Sequence, residues 1–266
     1  MTGIWGIVNI TTDSFSDGGR YIDTERAIAH GLELREAGAT VLDIGGESTR
    51  PGSERIAPEV EQQRVVPVIQ ELASRGIPVS VDTFNASTAA AAVQAGARIV
   101  NDVSGGLADP EMLAAVAESG ADYALGHWRG HSDDMYARAE YRRASREVAG
   151  ELRERIGEAA AAGIAPSRII LDPGIGFAKA GAQNWDVLRG LADISALGHR
   201  VLIGTSRKRF LAETLEPQGD PVDEARRDLA TAVTSALAVR HGVWAVRVHN
   251  VAATRDALSI ARAWEG

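Results

Sequence analysis

The chain has 266 residues, no cysteine and a formal net charge of −8. The lack of cysteine excludes disulfides, thiolate catalysis and zinc–thiolate centres. The acidic balance argues against nucleic acid as a partner, because phosphate backbones attract basic surfaces. Hydrophobic residues make up 45% of the chain and charged residues 24%, which is typical of a globular protein with a large core.

Short β-type segments alternate with amphipathic helical segments along the chain. In chain order, the patterns predict a strand at Ile4–Asn9, a helix at Thr24–Ala37, a strand at Thr40–Ile44, a helix at Pro58–Arg75, a strand at Val79–Asp82, a helix at Ala86–Ala95, strands at Arg98–Asn101 and Asp122–Leu125, a helix from about Ala144 to Ala162, strands at Arg168–Asp172, Arg200–Gly204 and Trp244–Val248, and a helix at Ala252–Trp264. This α/β rhythm predicts a (β/α)8 TIM barrel, a fold of about 250 residues, as a single domain over residues 1–266. A doubly wound open sheet is the alternative architecture.

Three segments bear on the surface and the location of the chain. The polar segment from His127 to about Tyr141 is predicted to be a mobile surface loop. The segment Leu229–Ala238 is rich in Ala, Leu and Val, which is compatible with a subunit contact and equally with packing on the barrel. No long apolar run predicts a membrane span, and the first residues lack the regions of a signal peptide. We therefore expect a cytoplasmic protein without a membrane partner.

Polar side chains end nearly every predicted strand, where the active sites of TIM barrels lie. They are Asn9, Asp43, Asp82, Asn101, His127, Asp172, the turn Ser206–Arg209, and the segment Arg247–His249. A single Asx residue at such a place often only caps a helix or makes a turn, but this whole set would converge on one mouth. The basic residues among them suit anions, since arginine binds carboxylates and phosphates bidentately. The pattern predicts a site for a polar heterocycle beside a pocket for an anion.

Seven ordered motifs resemble those of the dihydropteroate synthases, and actinobacterial members in particular. The motifs are Asn9–Gly19, Asp43–Gly52, Val81–Thr83, Asn101–Gly106, Asp172–Phe177, Ser206–Lys208 and Arg247–His249. The resemblance extends from about Gly3 to Trp264. It implies a reaction in folate biosynthesis, in which 6-hydroxymethyl-7,8-dihydropterin diphosphate and para-aminobenzoate give 7,8-dihydropteroate and diphosphate. It further implies Mg²⁺ as cofactor, a homodimer, and inhibition by sulfonamides.

The resemblance also implies roles for individual residues. The pterin site would comprise Asp82, Asn101, Asp172, Phe177, Lys208 and Arg247, and the diphosphate site Asn9, Arg247 and His249, with Asn9 on the metal. The aminobenzoate site would comprise Phe15, Ser48, Thr49, Pro51, Ser206, Arg207 and Arg209. The catalytic residues would be Lys208, Asp13 and Arg50, with Asp13 helping to form the closed site.

The chain departs from the family pattern at Gly126, and two alternative functions remain beside this interpretation. The family usually has methionine where this chain has Gly126, which predicts an enlarged or weakened pterin pocket. Pterin-binding methyltransferase barrels that serve corrinoid proteins share the pterin aspartates and asparagine. They are not expected to combine the Ser48–Gly52 loop with the Ser206–Lys208 turn. A catalytically weak paralogue that binds pterin or a partner without turnover is the other alternative.

Overall fold

The structure is a computed structural model that describes residues 2–10, 19–47, 55–130, 139–216 and 221–266. Eight parallel strands close into a barrel in chain order, each paired with its neighbours and the last with the first. The strands are β1 (Gly3–Asn9), β2 (Val41–Gly45), β3 (Val79–Asp82), β4 (Ile99–Asp102), β5 (Asp122–Gly126), β6 (Ile169–Asp172), β7 (Arg200–Ile203) and β8 (Ala245–Val248). The predicted TIM barrel is therefore confirmed, and the open sheet is excluded.

Helices surround this barrel. Within the described ranges they are α1 (Gly19–Ala37), α2 (Pro58–Ser74), α3 (Ala86–Gln94), α4 (Met112–Ser119), α5 (Ala144–Ala161), α6 (Gly181–Arg189), α7 (Leu191–Ser195), α8 (Arg209–Leu215), α9 (Glu224–Val239) and α10 (Val251–Glu265). Two helices follow β6 because the backbone turns at Gly190, and two follow β7. No helix in these ranges is long and apolar enough to cross a membrane.

Two apolar layers hold the barrel together. The outer layer packs the strands against the helices. The inner layer is a cluster inside the barrel, here called the inner plug, which consists of Trp5, Val41, Ile99, Ala124, Ile170, Leu202 and Ala245. Successive side chains of a strand point to opposite faces, so the residue two positions after a plug residue also points inward. This period places Asp43, Asn101, Asp172 and Arg247 above the plug, at the carboxyl ends of their strands.

The polar segment after β5 is anchored where the structure describes it. His127 is buried, and the Arg129 guanidinium lies 3.8 Å from the centre of the Tyr141 ring. Arg129 also pairs with Glu151 of α5. The prediction of a mobile loop therefore does not apply to these two ends, and residues 131–138 lie outside the described ranges.

Candidate active site

A buried arginine links two carboxylates at the mouth of the barrel. Arg247 Nε donates to Asp43 Oδ2 at 2.5 Å, and Arg247 Nη2 donates to Asp82 Oδ2 at 2.6 Å. Asn101 Nδ2 donates to the same Asp43 oxygen at 3.1 Å. Burial opposes the charge on Arg247, but Asp43 and Asp82 outweigh burial and raise the pKa of Arg247. The guanidinium therefore stays charged and is held in one orientation.

Asp82 has a strongly perturbed pKa in this cluster. Burial raises the pKa of Asp82 to about 7, whereas Arg247 acts to lower it and Asp43 to raise it further. A carboxyl group with a pKa in this range can exist in either form near neutral pH. In its charged form the carboxylate can accept hydrogen bonds from a ligand and balance a positive charge that forms on that ligand.

Lys208 lies beside this cluster, close enough to interact with the charges of Arg247 and Asp82. Its ammonium donates to the carbonyl of Ile175 and lies 4.7 Å from the centre of the Phe177 ring. Burial lowers the pKa of Lys208 to about 8, and Asp172 counteracts the shift. A Cβ added to Gly204 would lie 3.9 Å from Lys208 Nζ and 3.8 Å from Arg247 Cβ. The lack of a side chain at Gly204 therefore leaves space between the two cations.

Asp172 and Asn101 are also buried at this mouth. Asp172 Oδ1 accepts a hydrogen bond from the backbone N–H of Gly174 at 2.8 Å, so the loop that follows β6 orients the carboxylate. Asn101 is almost fully buried, and its bond to Asp43 fixes its amide. All six predicted pterin residues thus gather at one end of the barrel, namely Asp82, Asn101, Asp172, Phe177, Lys208 and Arg247.

The predicted anion residues border the same mouth. Ser206 Oγ lies 2.8 Å from His249 Nδ1 and accepts from the His249 backbone N–H at 3.0 Å. The serine therefore fixes the orientation of the histidine ring. Asn9 is exposed at the end of β1. A Cβ added to the neighbouring Gly45 would lie 3.6 Å from Asn9 Oδ1. Gly45 thus keeps the space between Asn9 and Asp82 open.

The two arginines beside Lys208 each pair with a carboxylate of a helix. Arg207 Nε and Nη2 bind the two oxygens of Asp228 on α9 at 2.6 and 2.9 Å. The Arg209 side chain is 80% exposed and pairs with Glu213 one helical turn later. Both guanidinium groups therefore already have a carboxylate partner on a helix, Asp228 on α9 and Glu213 on α8. Their predicted contact with aminobenzoate stays a prediction.

Comparisons with known proteins decide the family. The profile of the pterin-binding enzymes matches residues 5–249. The dihydropteroate synthase of Mycobacterium leprae (strain TN) is 50% identical over 261 residues, which cover 97% of this chain and 92% of that protein. The chain belongs to the dihydropteroate synthase family. The prediction from the seven motifs is confirmed, and the chain is an enzyme of the transferase class.

Solved structures of dihydropteroate synthases have the same fold over the whole chain. The Xanthomonas albilineans enzyme with 4-aminobenzoic acid aligns with a TM-score of 0.90 and 43% identity, over 100% of this chain and 93% of that one. The Yersinia pestis enzyme in complex with a sulfonamide drug aligns with a TM-score of 0.90 and 35% identity, over 99% of this chain and 94% of that one. The 50% identical relative likewise favours dihydropteroate synthases over the corrinoid-dependent methyltransferases.

Several predicted residues lie outside the described ranges. They are Asp13, Phe15, Ser48, Thr49, Arg50 and Pro51. The structure adds Asp43, which the sequence places at a strand end without a role and which is the partner of Arg247. It also adds Lys179, which looks like an ordinary surface residue in the sequence but is fully buried. The inward position two residues after Val41 is a signal that could have identified Asp43.

The structure corrects the interpretation of Gly126. A Cβ added there would lie 2.4 Å from both the Cα and the carbonyl oxygen of Val103. Gly126 points into the barrel like its partner Asp172 on β6, and the backbone after β4 crosses directly over it. The space of a side chain at residue 126 is therefore filled by the Val103 backbone. The pocket is not enlarged at this position.

Proposed function

We propose that the chain joins 6-hydroxymethyl-7,8-dihydropterin diphosphate to para-aminobenzoate and releases 7,8-dihydropteroate and diphosphate. The observation that carries the proposal is the convergence of buried acceptors on Asp82 and Asp172 with the buried cations of Lys208 and Arg247. This combination suits a heterocycle rich in N–H groups that is joined to an anionic leaving group. Family membership supports the same assignment.

The pterin would be held by the acceptors at the strand ends. Asp172 and Asn101 would bind the edge of the ring, with Phe177 and Lys208 on one side of it. In the reaction, the bond between the pterin methylene carbon and the diphosphate oxygen breaks, and a bond from that carbon to the aniline nitrogen forms. The nitrogen then loses a proton. Departure of the diphosphate leaves positive charge delocalised over the pterin, which the carboxylates of Asp82 and Asp172 would stabilise.

The diphosphate would lie beside Arg247, His249 and Asn9. Positive groups that are already oriented stabilise the charge that develops on a leaving group. Mg²⁺ usually binds one or two protein groups together with substrate phosphates, and the exposed amide oxygen of Asn9 fits such a site. Among the described residues, no three His, Asp or Glu side chains form a metal cage of their own. When bound, Mg²⁺ would neutralise phosphate charge, with Asn9 as its protein ligand.

Para-aminobenzoate would bind on the outer side of the pterin. Arg209 is available at the rim, since its surface ion pair with Glu213 is worth at most about 1 kcal/mol. Arg207 would act through the shape of the turn, because its backbone has a φ of 57° and its guanidinium is held by Asp228. Ser206 lies in the same turn. The loop residues Asp13, Phe15, Ser48, Thr49, Arg50 and Pro51 would complete the site and exclude water.

The proposed function is tested by turnover. The purified chain with dihydropterin diphosphate, para-aminobenzoate and Mg²⁺ is expected to release dihydropteroate and diphosphate in equal amounts. A sulfonamide is expected to raise the apparent KM for para-aminobenzoate and leave kcat unchanged, because it copies that substrate. Chromatography and a coupled diphosphate assay measure the two products. Pterin binding without product would instead identify a catalytically weak paralogue.

We further propose that the chain forms a homodimer through α9. Leu229, Val233 and Leu237 recur every four residues on this helix, and their exposed fractions are 65%, 49% and 53%. Ile260 and Trp264 of the neighbouring α10 are also exposed. A pocket lined by Trp185, Leu188 and Leu237 continues this apolar surface. Monomeric proteins rarely expose contiguous apolar surface of this kind, and a second copy of the chain would cover it.

A charge in the centre of this surface is expected to separate the subunits. Val233→Glu would place a carboxylate in the interface, where burial of an unpaired charge is costly. Light scattering after size-exclusion chromatography is expected to give twice the chain mass of 28.1 kDa for the wild type and that mass itself for the variant. Leu107→Glu is the matched control, since Leu107 is equally exposed but lies in the loop after β4. A dimeric Val233→Glu protein would place the interface elsewhere.

A further inference from the structure

The loop between β6 and α6 has an unusual backbone. Gly174, Gly176 and Ala178 all have positive φ values, of 63°, 84° and 49°. A left-handed conformation is costly for an alanine, by about 1–3 kcal/mol, so the surroundings of the loop must hold it. Several carbonyl groups of this loop are bound by lysine side chains. Those of Gly174, Ile175 and Phe177 each accept a hydrogen bond from a lysine.

Two of these three bonds come from Lys179, whose exposed fraction is 1%. Its Nζ atom donates to the carbonyl oxygens of Gly174 at 2.9 Å and Phe177 at 3.0 Å. Its third contact is His127 Nδ1, at 3.0 Å. An ammonium group has three N–H donors and no acceptor, so the three contacts use it fully. A neutral amine has only two N–H donors, so it could keep all three contacts only if the ring proton of His127 moved to Nδ1, which would leave Nε2 without a proton for Glu151.

The contact with Lys179 fixes the protonation of the neighbouring histidine. Since the ammonium only donates, His127 Nδ1 must accept, and the ring proton is on Nε2. Nε2 lies 2.9 Å from Glu151 Oε2, which accepts that proton's hydrogen bond. Burial, followed by the charge of Lys179, lowers the pKa of His127 to about 4, so the ring is neutral at physiological pH. While Lys179 is charged, the chain Lys179–His127–Glu151 therefore has one self-consistent arrangement of protons.

We infer that Lys179 is a positioning residue for the pterin site, an inference that rests on the proposed function. The ammonium does not reach the mouth itself, since the Gly174–Phe177 loop covers it. Gly174 is held from two sides, by Lys179 at its carbonyl and by Asp172 at its N–H. The same ammonium fixes the carbonyl of Phe177, the residue whose ring lies under Lys208. Lys179 thus sets the positions of two pterin contacts through the backbone between them.

The charge of Lys179 also depends on pH in the relevant range. Burial lowers the pKa of Lys179 to about 7, whereas Asp172 acts to raise it. The other titratable or charged groups that face it are His127 and Arg129 after β5, Tyr141, Glu151 of α5, and Lys208 before α8. Pterin binding requires the ordered loop and therefore favours the charged form. The contribution of Lys179 to affinity is expected to be complete below about pH 7 and to be lost as pH rises through that value.

The chain lacks cysteine, which permits a chemical test of this charge. Lys179→Cys introduces a single thiol, which is alkylated in the unfolded protein with 2-bromoethylamine before refolding. The product has the shape and charge of lysine, with one methylene replaced by sulfur. Alkylation with 1-bromopropane gives a neutral chain of the same length as the matched control. Lys179→Met provides a neutral side chain without any refolding step.

Calorimetry with 6-hydroxymethylpterin, which has no leaving group, measures affinity separately from chemistry. The propylated protein and Lys179→Met are expected to bind about tenfold to a hundredfold more weakly than the wild type. The aminoethylated protein is expected to recover most of that loss. Because sulfur makes its amine less basic, the pH at which its affinity falls should be lower than in the wild type. Asp82, with a pKa near 7, is present in all forms and cancels in the comparison. Lys208 faces Lys179, so the pH profiles are compared between the wild type and the aminoethylated protein, which both have an amine at residue 179.

Two results would overturn the inference, and they differ from failure of the proposed function. Equal pterin affinity of Lys179→Met and the wild type would show that the ammonium does not position the site. A lower Tm in the neutral forms, together with unchanged affinity and an unchanged pH profile, would assign Lys179 to stability alone. A wild-type protein that does not bind pterin at all would instead reject the proposed function, and this inference with it.

Discussion

Replacement of Arg247 by methionine is expected to lower kcat/KM by about a thousandfold or more. Arg247 is the cation placed to stabilise the leaving diphosphate, and loss of one oriented donor at such a site costs a factor of about 100 to 1,000. The loss here should be at the upper end, because Arg247 also orients Asp82 and Asp43. Initial rates of diphosphate release at several concentrations of dihydropterin diphosphate provide the measurement.

The same substitution is expected to destabilise the protein. Removal of one member of a buried ion pair leaves the other charge unpaired, which costs about 3–5 kcal/mol. Without Arg247, the pKa of Asp82 should rise further above about 7, so the carboxyl group would become charged only at higher pH. In the wild type Asp82 ionises near pH 7, so its ionisation costs little further stability at higher pH. In the variant Asp82 ionises only at higher pH, so the free energy of unfolding continues to fall above pH 7. The difference in Tm between the two should therefore be larger at pH 8.5 than at pH 6.

Arg75→Met is the matched control for this experiment. Arg75 follows α2 and pairs with Glu71 at the surface, so its loss removes a guanidinium of the same kind from an exposed pair. Its expected cost is below about 1 kcal/mol, with unchanged kinetics. An Arg247→Met enzyme with normal turnover would mean that the diphosphate leaves by another path. The assignment of Arg247 and His249 to the anion site would then be wrong.

Gly126→Ala is expected to destabilise the protein by about 1–3 kcal/mol or more and to weaken pterin binding. The added methyl group would lie 2.4 Å from the backbone of Val103, and backbone cannot turn aside as a flexible side chain can. The turn after β4 would have to shift, and Asn101 lies in β4, two residues before Val103. Gly126→Met should be destabilised further, because its Cβ meets the same backbone and the rest of the side chain needs additional space. Urea denaturation and pterin calorimetry measure the two effects.

Gly150→Ala tests the same substitution where there is room. Gly150 lies within α5, and apart from its chain neighbours and the adjacent backbone of that helix no atom of the described residues lies within 4 Å of the position its Cβ would take. Alanine favours a helix over glycine by about 0.8–1.0 kcal/mol, so this variant should be more stable than the wild type. If Gly126→Met instead bound pterin more tightly, the enlarged pocket expected from the sequence would be right. The clash expected between a side chain at residue 126 and the Val103 backbone would then be wrong.

The sequence predicts the strands and the polar mouth for the same reason. A buried strand ends where its apolar run gives way to a polar residue, so Asp82 and Asp172 mark both the end of a strand and a position in the site, and Asn101 lies one residue before the end of β4. The closed barrel then brings these ends together. This part of the fold can therefore be predicted from the local sequence pattern together with the barrel topology.

Other features depend on contacts between distant segments, which local pattern does not contain. Lys179 has the sequence context of an exposed loop residue, and only the fold surrounds it with His127 and two backbone carbonyls. Arg207 has the same sequence context as Lys208, yet its guanidinium is bound by Asp228, a residue of α9. The space beside Gly126 depends on the path of the backbone after β4. A resemblance to a family cannot reveal such differences in one member.

The inner plug has a consequence for engineering. The strands supply the plug from one set of positions and the mouth from positions two residues later, so thermal tolerance and substrate chemistry are encoded by different residues of the same strands. Ser80 and Trp5 each have a buried polar atom without a hydrogen-bond partner, and Ile99, which pairs with Ser80, belongs to the plug. A designer could therefore repack this lower half of the barrel for use at high temperature while keeping the catalytic half intact.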